Sequence, residues 1–248
     1  MGSLLVRVSC RRILELFDEA NDKGAIHWYD TSAYSSTATL QHRMEVISNA
    51  YNQLSRSRLD YVKFYMDSHE YVPTWIMIKV INFSTFIDIL KYSKKSVTHS
   101  ICHLYDLKDK NNHPHVKLLI GSLHWMRQVR NSCAHNERIY CMVKSSNPKQ
   151  GASRISERYL PDLDSKYMKE KEQKIMDLIV YFKYYLPSQE FGEIINELRK
   201  LLLNLKTKLQ DSAFRQVRNK MGIIDLEHLE ELRNATKEEI NYNKFDTF

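Results

Sequence analysis

The sequence predicts an all-α protein, and three observations support that prediction. Glycine and proline together account for only eleven of the 248 residues, six and five respectively, so helix breakers are scarce. Hydrophobic residues make up 43% of the chain, which is ample for a helical core. Apolar residues also recur every three to four positions along most of the chain, which is the period of an amphipathic helix. Because no stretch resembles a linker, we expect a single domain over residues 1–248.

Helical spacing of apolar residues predicts the elements of the first half, with helices over residues 4–20, 39–54, 59–66, 74–93 and 96–107. The first helix should end near Gly24, because glycine suits a helix stop. The second helix carries an apolar stripe formed by Leu40, Met44, Ile47 and Tyr51. The helix that follows Pro73 is apolar nearly all round and is therefore expected in the core, and its length is too great for a strand.

In the second half, helices are predicted over about residues 114–140, 164–186 and 191–209, with further C-terminal helical residues up to 240. A polar loop over residues 108–113 leads into Pro114, whose missing N–H is harmless in the first turn of a helix. Residues 145–156 contain proline, glycine and several serines and form the clearest loop of the chain. Ser188 is the expected N-cap of the helix that follows Pro187.

Composition and cysteine content predict a cytoplasmic protein with no membrane contact. No run approaches the roughly 18 consecutive apolar residues of a membrane span. The N-terminal residues lack the long apolar segment of a signal peptide. The four cysteines are scattered without a paired framework, which favours reduced thiols; they are Cys10, Cys102, Cys133 and Cys141.

Chemistry-bearing side chains concentrate in the helix predicted over residues 114–140. Its apolar residues predict a core-facing side formed by Val116, Leu119, Leu123, Met126 and Cys133. At about 100° per residue, a polar stripe of the same helix is formed by His124, Arg127, Gln128, Asn131, His135 and Arg138. Asn131 and His135 are i and i+4 neighbours, which is close enough for side-chain contact.

Arg130 falls outside this polar stripe. It precedes His135 by five residues, so it lies about 140° away around an ideal helix and is expected on the apolar side. A buried arginine needs a carboxylate or a bound phosphate as its partner. Because one unbroken helix would aim Arg130 and His135 in different directions, we expect a homodimer in which a twofold axis brings the two groups together.

The string Arg130-Asn-Ser-Cys-Ala-His135 resembles motifs of known protein families. Arg-x4-His with a polar residue after the arginine resembles the motif of HEPN-domain ribonucleases. The longer string RNxCAHxxRI, which ends at Ile139, is similar to the signature of the Abi-like (AbiD/AbiF-type abortive infection) family. Upstream, Pro73-Thr-Trp75 and Asn82-Phe-Ser-Thr-Phe86 match the arrangement that this family carries before the Arg-His motif.

The resemblance implies a HEPN-type helical bundle with additional helices and the activity of a metal-independent endoribonuclease. RNA carries its own nucleophile in the 2′-OH, so such an enzyme needs only to move protons and stabilise charge. Cleavage would leave a 2′,3′-cyclic phosphate and a 5′-hydroxyl, and no metal or other cofactor is expected. The resemblance further implies a growth-arresting toxin used in phage defence, with RNA as substrate and a structured RNA as a possible antitoxin.

Under this hypothesis, His135 is the general acid or base, because histidine exchanges protons near neutral pH. Arg130 would bind the scissile phosphate and its developing charge, while Asn131 would orient the imidazole or the phosphate. Further RNA contacts are expected from three residues of the same helix, namely Arg127, Arg138 and His124.

Other interpretations of the same helix remain open. It could be an ordinary amphipathic helix with a solvated Arg/His face. It could also belong to a non-catalytic RNA-binding module that recognises a structured RNA, or to a bundle that binds only proteins. A net charge of +7 and a pI near 9.1 favour nucleic acid or another polyanion as partner, but they do not distinguish an enzyme from a binding module.

Three further patterns have structural interpretations. Arg215-Gln-Val-Arg-Asn219 repeats the pentapeptide that begins at Arg127, but no histidine follows it at the required spacing. His99 and His103 are one helical turn apart, a spacing found in zinc sites, yet no Cys-x2-Cys pair or HExxH accompanies them. The aromatic residues between Tyr181 and Tyr185 could stack on bases, but we expect them in the core of the bundle.

Overall fold

The computed structural model describes residues 12–21, 25–69, 71–108, 111–144, 173–223 and 225–234. It divides into two compact units, residues 1–104 (unit 1) and 105–248 (unit 2). In the described part of both units, the regular structure is helical apart from two strands of two residues each, so the all-α prediction is confirmed. The prediction that the whole chain forms a single domain stays a prediction.

The helices of unit 1 lie close to the predicted positions. They are α1 (residues 12–20), α2 (Leu40–Ser55), α3 (Asp60–Ser68), α4 (Thr74–Val80), α5 (Phe83–Tyr92) and α6 (Lys95–Leu104). A 3₁₀ turn, Thr31–Ala33, lies in the loop before α2. The Thr39 hydroxyl accepts a hydrogen bond of 3.2 Å from the His42 N–H and caps α2. The predicted helix end near Gly24 lies outside the described residues.

The core of unit 1 surrounds Trp28, which is 1% exposed. The Trp28 Nε1–H donates a hydrogen bond of 2.6 Å to the carbonyl of Val72, and the Trp28 carbonyl accepts one of 2.7 Å from the Tyr34 hydroxyl. The first bond attaches the loop before α2 to the residues that precede α4, and the second connects two parts of that loop. Other large buried side chains of this unit are Phe17, Leu54, Ile76, Met77, Ile87 and Leu90.

The helix predicted over residues 74–93 is in fact two helices, α4 and α5. The break lies at Ile81 and Asn82, where the Asn82 side chain accepts a hydrogen bond of 2.9 Å from the Thr85 N–H and caps α5. Gln53 of α2 contacts both ends of this cap, because it accepts from the Asn82 N–H and donates to the Thr85 hydroxyl at 2.7 Å. Asparagine competes poorly inside a helix but well as an N-cap, which explains the break.

The buried face of α2 also differs from the predicted one. The sequence placed Leu40, Met44, Ile47 and Tyr51 on the core side. Leu40 and Met44 are instead each 54% exposed, and Tyr51 is 39% exposed. The buried side chains of α2 are Val46, Ala50 and Leu54. Apolar spacing therefore identified the helix correctly but gave the wrong orientation for its buried face.

Unit 2 contains the second group of helices and a short strand pair. The helices are α7 (Val116–Ala134), α8 (Ile175–Tyr185), α9 (Ser188–Lys208), α10 (Asp211–Met221) and α11 (Glu227–Asn234). Strand β1 (Val143–Lys144) pairs antiparallel with β2 (Gln173–Lys174).

Helix α8 forms the centre of the unit 2 core. Tyr181 and Tyr184 are each 1% exposed, which confirms the core interpretation for these two residues. The hydroxyls of Ser122 in α7 and Tyr185 in α8 lie 2.7 Å apart and link the two helices. Lys183 is also buried, and its ammonium donates to the carbonyls of the last turn of α11, including that of Arg233 at 3.0 Å. A cation is favourable there because the carbonyls of a helix end carry partial negative charge.

Two other predictions for unit 2 require correction. The helix predicted over residues 164–186 begins only at Ile175, because residues 173 and 174 form β2. Pro187, and not Ser188, is the N-cap of α9. The loop predicted over residues 145–156, the start of the helix predicted from residue 164 and the chain after residue 234 lie outside the described residues.

Candidate functional site at the end of helix α7

Helix α7 is fixed in unit 2 by one buried face, which is formed by Leu118, Leu119, Ser122, Leu123, Trp125, Val129 and Ser132. The predicted core face is wrong at its end, since Cys133 is exposed and Ser132 takes the buried position. At about 100° per residue, Arg127 and Asn131 lie on the side of the helix opposite Trp125 and Val129. The packing of these last two side chains therefore directs Arg127 and Asn131 away from the core.

Helix α7 ends at Ala134 and does not continue to residue 140 as predicted. Asn136 has a left-handed backbone conformation, with φ of 55°. Its N–H donates to the Cys133 carbonyl at 3.2 Å, and the Glu137 N–H donates to the Ser132 carbonyl at 2.9 Å. These two bonds form a Schellman motif, which satisfies the last carbonyls of a helix. Asparagine tolerates positive φ better than most residues, so Asn136 takes the place that glycine usually fills.

An open pocket of about 310 Å³ lies at this helix end. Its described lining residues come from the last turns of α7 and the turn that follows, and they are Arg127, Gln128, Asn131, Ser132, His135 and Glu137. The structure therefore brings three of the predicted site residues, Arg127, Asn131 and His135, to one opening. The His135 N–H donates to the Asn131 carbonyl at 3.1 Å, which holds these two residues one turn apart although the regular helix has ended.

Arg130 does not face the core, although ideal helix geometry predicted that it would. Its side chain is exposed, and its guanidinium donates a hydrogen bond of 3.1 Å to the side-chain oxygen of Asn131. A long side chain can lie along the helix surface and reach a neighbouring position, which a helical wheel does not represent. The guanidinium of Arg130 is thus attached to a residue that lines the pocket within one chain. The reason first given for a twofold interface, that Arg130 and His135 point in different directions, is therefore removed.

The remaining two predicted site residues are not among the described lining residues. Arg138 is exposed and lies beyond the end of α7, so it does not belong to the helical stripe on which it was placed. His124 is half-buried and lies one turn before Gln128 on α7. The described structure supports a pocket role for neither residue.

Sequence reasoning missed two residues of the pocket, Ser132 and Glu137. The Ser132 hydroxyl donates a hydrogen bond of 2.5 Å to a carboxylate oxygen of Glu137, and the backbones of the same two residues are also hydrogen-bonded. Ser132 thus donates one hydrogen bond to Glu137 and accepts another from it, and the two together hold the carboxylate at the pocket. The signal that could have located Glu137 was Asn136, because an asparagine after a helical stretch is a candidate left-handed cap that reverses the chain.

The repeated pentapeptide Arg215-Gln-Val-Arg-Asn219 lies in α10 and also precedes a left-handed helix end. There the left-handed residue is Gly222, with φ of 80°, and the Ile223 N–H donates to the Arg218 carbonyl at 3.0 Å. The second arginine of the pentapeptide precedes the left-handed residue by six positions in α7 and by four in α10. This repeat is therefore displaced by half a turn relative to the helix end, and it lacks a histidine.

The possible metal site around His99 and His103 gains no support from the structure. Among the residues that the structure describes, no group of three or more His, Cys, Asp or Glu side chains could hold a metal ion. Cys102 lies between the two histidines and is fully buried, and burial raises the pKa of its thiol to about 12.

In the described part of the structure, no helix is long and apolar enough to cross a membrane.

Comparisons with known proteins identify a family for this chain. Neither a curated protein nor a solved structure shows significant similarity to the chain. The family model for Abi-like proteins, however, matches residues 8–141, which are more than half of the 248 residues and end four residues after Glu137. The chain therefore belongs to the Abi-like protein family.

Proposed function

We propose that this protein is a metal-independent endoribonuclease of the HEPN type that acts in abortive infection, with the pocket at the end of α7 as its active site. One observation carries the proposal. The pocket gathers Arg127, Asn131 and His135 at one opening, and the guanidinium of Arg130 is hydrogen-bonded to Asn131. Cleavage of an RNA phosphodiester by the neighbouring 2′-OH requires a group that transfers protons and cations that bind the phosphate. His135 and the two arginines near this opening have these properties.

The proposed reaction moves one proton and exchanges one P–O bond for another. The 2′-oxygen loses its proton and bonds to phosphorus, while the bond from phosphorus to the 5′-oxygen breaks and the 5′-oxygen gains a proton. Two side chains of the described lining can exchange protons in this way, His135 and Glu137. We assign Glu137 as the base that accepts the 2′-OH proton and His135 as the acid that protonates the 5′-oxygen.

The arginines have a second task that follows from the position of the pocket. A helix C-terminus carries partial negative charge and disfavours a bound anion. A phosphate at the end of α7 therefore needs side-chain cations to offset this charge, and Arg127 and Arg130 are placed to supply them. Guanidinium groups bind phosphate through paired N–H donors, and the hydrogen bond from Arg130 to Asn131 orients one such group.

Membership of the Abi-like family supports a role in abortive infection, a form of phage defence. RNA is the proposed substrate, and a structured RNA is the proposed antitoxin. A homodimer remains part of the proposal, although the exposed position of Arg130 means that one chain can present both arginines by itself. Sedimentation velocity at micromolar concentration measures the oligomeric state directly, and a fully active monomer would contradict a dimeric enzyme.

The decisive experiment is incubation of the purified protein with labelled RNA in EDTA, followed by analysis of the product ends. We expect cleavage to persist and to leave 2′,3′-cyclic phosphates and 5′-hydroxyls. His135→Ala should lower the cleavage rate by about 10²–10⁴-fold while RNA still binds. Arg130→Ala should abolish cleavage and also weaken binding, because a charge-assisted phosphate contact is lost. The matched control is Arg218→Ala, which removes the same residue from the repeated pentapeptide in α10.

Each alternative corresponds to a distinct result. Loss of cleavage in EDTA with recovery on adding a divalent ion would show that the mechanism depends on metal. Binding of RNA without cleavage by the wild type would indicate the non-catalytic RNA-binding module. Neither cleavage nor salt-dependent RNA affinity would indicate a bundle that binds only proteins. A folded His135→Ala variant that cleaves RNA normally would exclude this pocket as the active site.

A further inference from the structure

A cluster of four aromatic residues and one lysine lies in unit 1 on α3 and α4, and three of its aromatic side chains are exposed. The cluster, termed here the α3–α4 aromatic surface, consists of Tyr61, Phe64, Tyr65, Trp75 and Lys79. Phe64 is 57% exposed, Trp75 is 48% exposed and Tyr61 is 39% exposed. A soluble domain buries large aromatic side chains where it can, so several exposed together indicate a binding surface.

Helix α3 presents its aromatic residues because it is only shallowly buried. Val62 is the buried side chain of this nine-residue helix. At about 100° per residue, Tyr61, Phe64 and Tyr65 fall on one stripe about 100° wide, with Phe64 nearly opposite Val62. The two aspartates of the helix, Asp60 and Asp67, border this stripe on its Phe64 side by the same geometry. The cation that the surface offers to a ligand therefore has to come from outside α3.

Helix α4 adds a further ring and a positive charge to this stripe. The rings of Tyr65 and Trp75 are 5.6 Å apart and nearly perpendicular, which joins the two helices. The ammonium of Lys79 lies 4.8 Å from the centre of the Trp75 ring and 5.4 Å from that of Tyr61. A lysine held over two aromatic rings provides a cation within reach of any ligand that stacks there.

The chemistry of this surface fits a single-stranded nucleic acid better than a protein partner. Surfaces that bind single strands combine aromatic rings, on which bases stack, with basic side chains that contact the backbone. The core of a protein–protein interface is depleted in lysine, whereas Lys79 lies over the Trp75 and Tyr61 rings of this cluster. Arg56 and Arg58, in the turn that leads into α3, are exposed as well.

We propose that the α3–α4 aromatic surface binds single-stranded RNA, with bases stacked on Phe64 and Trp75 and a phosphate contacted by Lys79. The choice of RNA over DNA rests on the proposed function, whereas the binding mode does not. The surface lies in unit 1 and shares no residue with the pocket of α7. It supplies affinity for an unpaired strand and has no part in bond breakage.

The test uses the fluorescence of Trp75, because this is the exposed one of the three tryptophans. Trp28 is 1% exposed and Trp125 is fully buried. The probe is a short 2′-O-methyl oligouridylate, which has no free 2′-OH and cannot be cleaved. We expect the single strand to quench the fluorescence of the full-length protein in a saturable way. An RNA duplex of the same length should not, because its bases are already stacked on one another.

Two pairs of variants test the residues, with affinity measured by anisotropy of a labelled probe. Phe64→Ala should weaken binding by roughly 5- to 150-fold, the range expected for loss of one stacked base. Leu201→Ala, which truncates a 66% exposed side chain of unit 2, should not. Lys79→Met should weaken binding, whereas Lys91→Met should not, although Lys91 also lies 4.8 Å from an aromatic ring, that of Tyr92. Thermal melts check that each variant is folded.

Several results would overturn the inference. Equal affinity for single strand and duplex would exclude stacking, as would folded Phe64→Ala and Lys79→Met variants that bind the probe normally. A change of oligomeric state in Phe64→Ala with unchanged RNA affinity would identify the surface as an interface between copies of the chain. A protein that binds the probe through these residues but does not cleave unmodified RNA would leave this inference intact and refute the proposed function.

Discussion

Replacing Asn136 with valine tests how far the candidate site depends on the end of α7. Asn136 has φ of 55°, a conformation that costs an ordinary L-residue about 1–2 kcal/mol and a β-branched residue at least as much. The conformation supports two hydrogen bonds, those of the Asn136 and Glu137 N–H groups, which are worth about 0.5–1.5 kcal/mol each. Strain and lost bonds are therefore of similar size, so the valine variant should spend much of its time with this helix end open.

A strain of about 1–2 kcal/mol should shift the ratio of closed to open helix ends by roughly 5- to 30-fold, which leaves the two forms about equally populated. We expect the specific cleavage rate to fall with the population of the closed form, to about half of the wild-type rate. The whole unit should remain folded, because about 2 kcal/mol is a fraction of the total stability of a domain. Asn136→Gly is the matched control, since glycine adopts positive φ without strain and should retain both activity and helix end.

Cleavage of labelled RNA and amide hydrogen exchange near residues 135–137 measure the two consequences independently. We expect Asn136→Val to show both faster amide exchange and slower RNA cleavage, and Asn136→Gly to show neither change. Unchanged cleavage by a valine variant whose helix end exchanges faster would refute the dependence of the site on this turn. An equal loss of activity in the glycine variant would show that the Asn136 side chain itself takes part.

The remaining predictions concern proton transfer and stability. Glu137→Gln keeps the hydrogen bond from Ser132 but removes the base, so cleavage should fall by about 10²-fold or more while RNA still binds; an unchanged cleavage rate would refute the assignment. Asn82→Ala removes the cap of α5 and should cost about 1 kcal/mol, measured by urea unfolding. Lys183→Met should cost about 1.5–3 kcal/mol, whereas the exposed Lys200→Met should change stability by less than about 0.5 kcal/mol.

The sequence predicted the helices well because their existence depends on local spacing. The start of α2 after Thr39 and the end of α8 before Pro187 follow from residues at those positions. The orientation of a helix depends on what packs against it, and the sequence does not contain that information locally. Leu40 and Met44 have the spacing of a core face, yet Val46 and Ala50 are buried and Leu40 and Met44 are exposed.

The candidate site was predicted where it depends on the regular helix and missed where the helix ends. Arg127 and Asn131 share the pocket because four residues advance a helix by about one turn. Glu137 reaches the same pocket only because Asn136 reverses the chain, and a helical wheel continued to residue 140 places it elsewhere. Arg130 was assigned to the core from its Cα direction alone, although its long side chain lies on the surface and bonds Asn131.

The pocket therefore consists of two parts that differ in how they are held. Arg127 and Asn131 lie on the body of α7, whose orientation is fixed by the buried Trp125 and Val129. His135 and Glu137 lie on the turn, which depends on a few backbone hydrogen bonds and on the bond from Ser132. Under the proposed chemistry, the first part binds phosphate and the second moves protons. Changes that loosen only the turn should then reduce cleavage far more than RNA affinity, whereas loss of an arginine should reduce both.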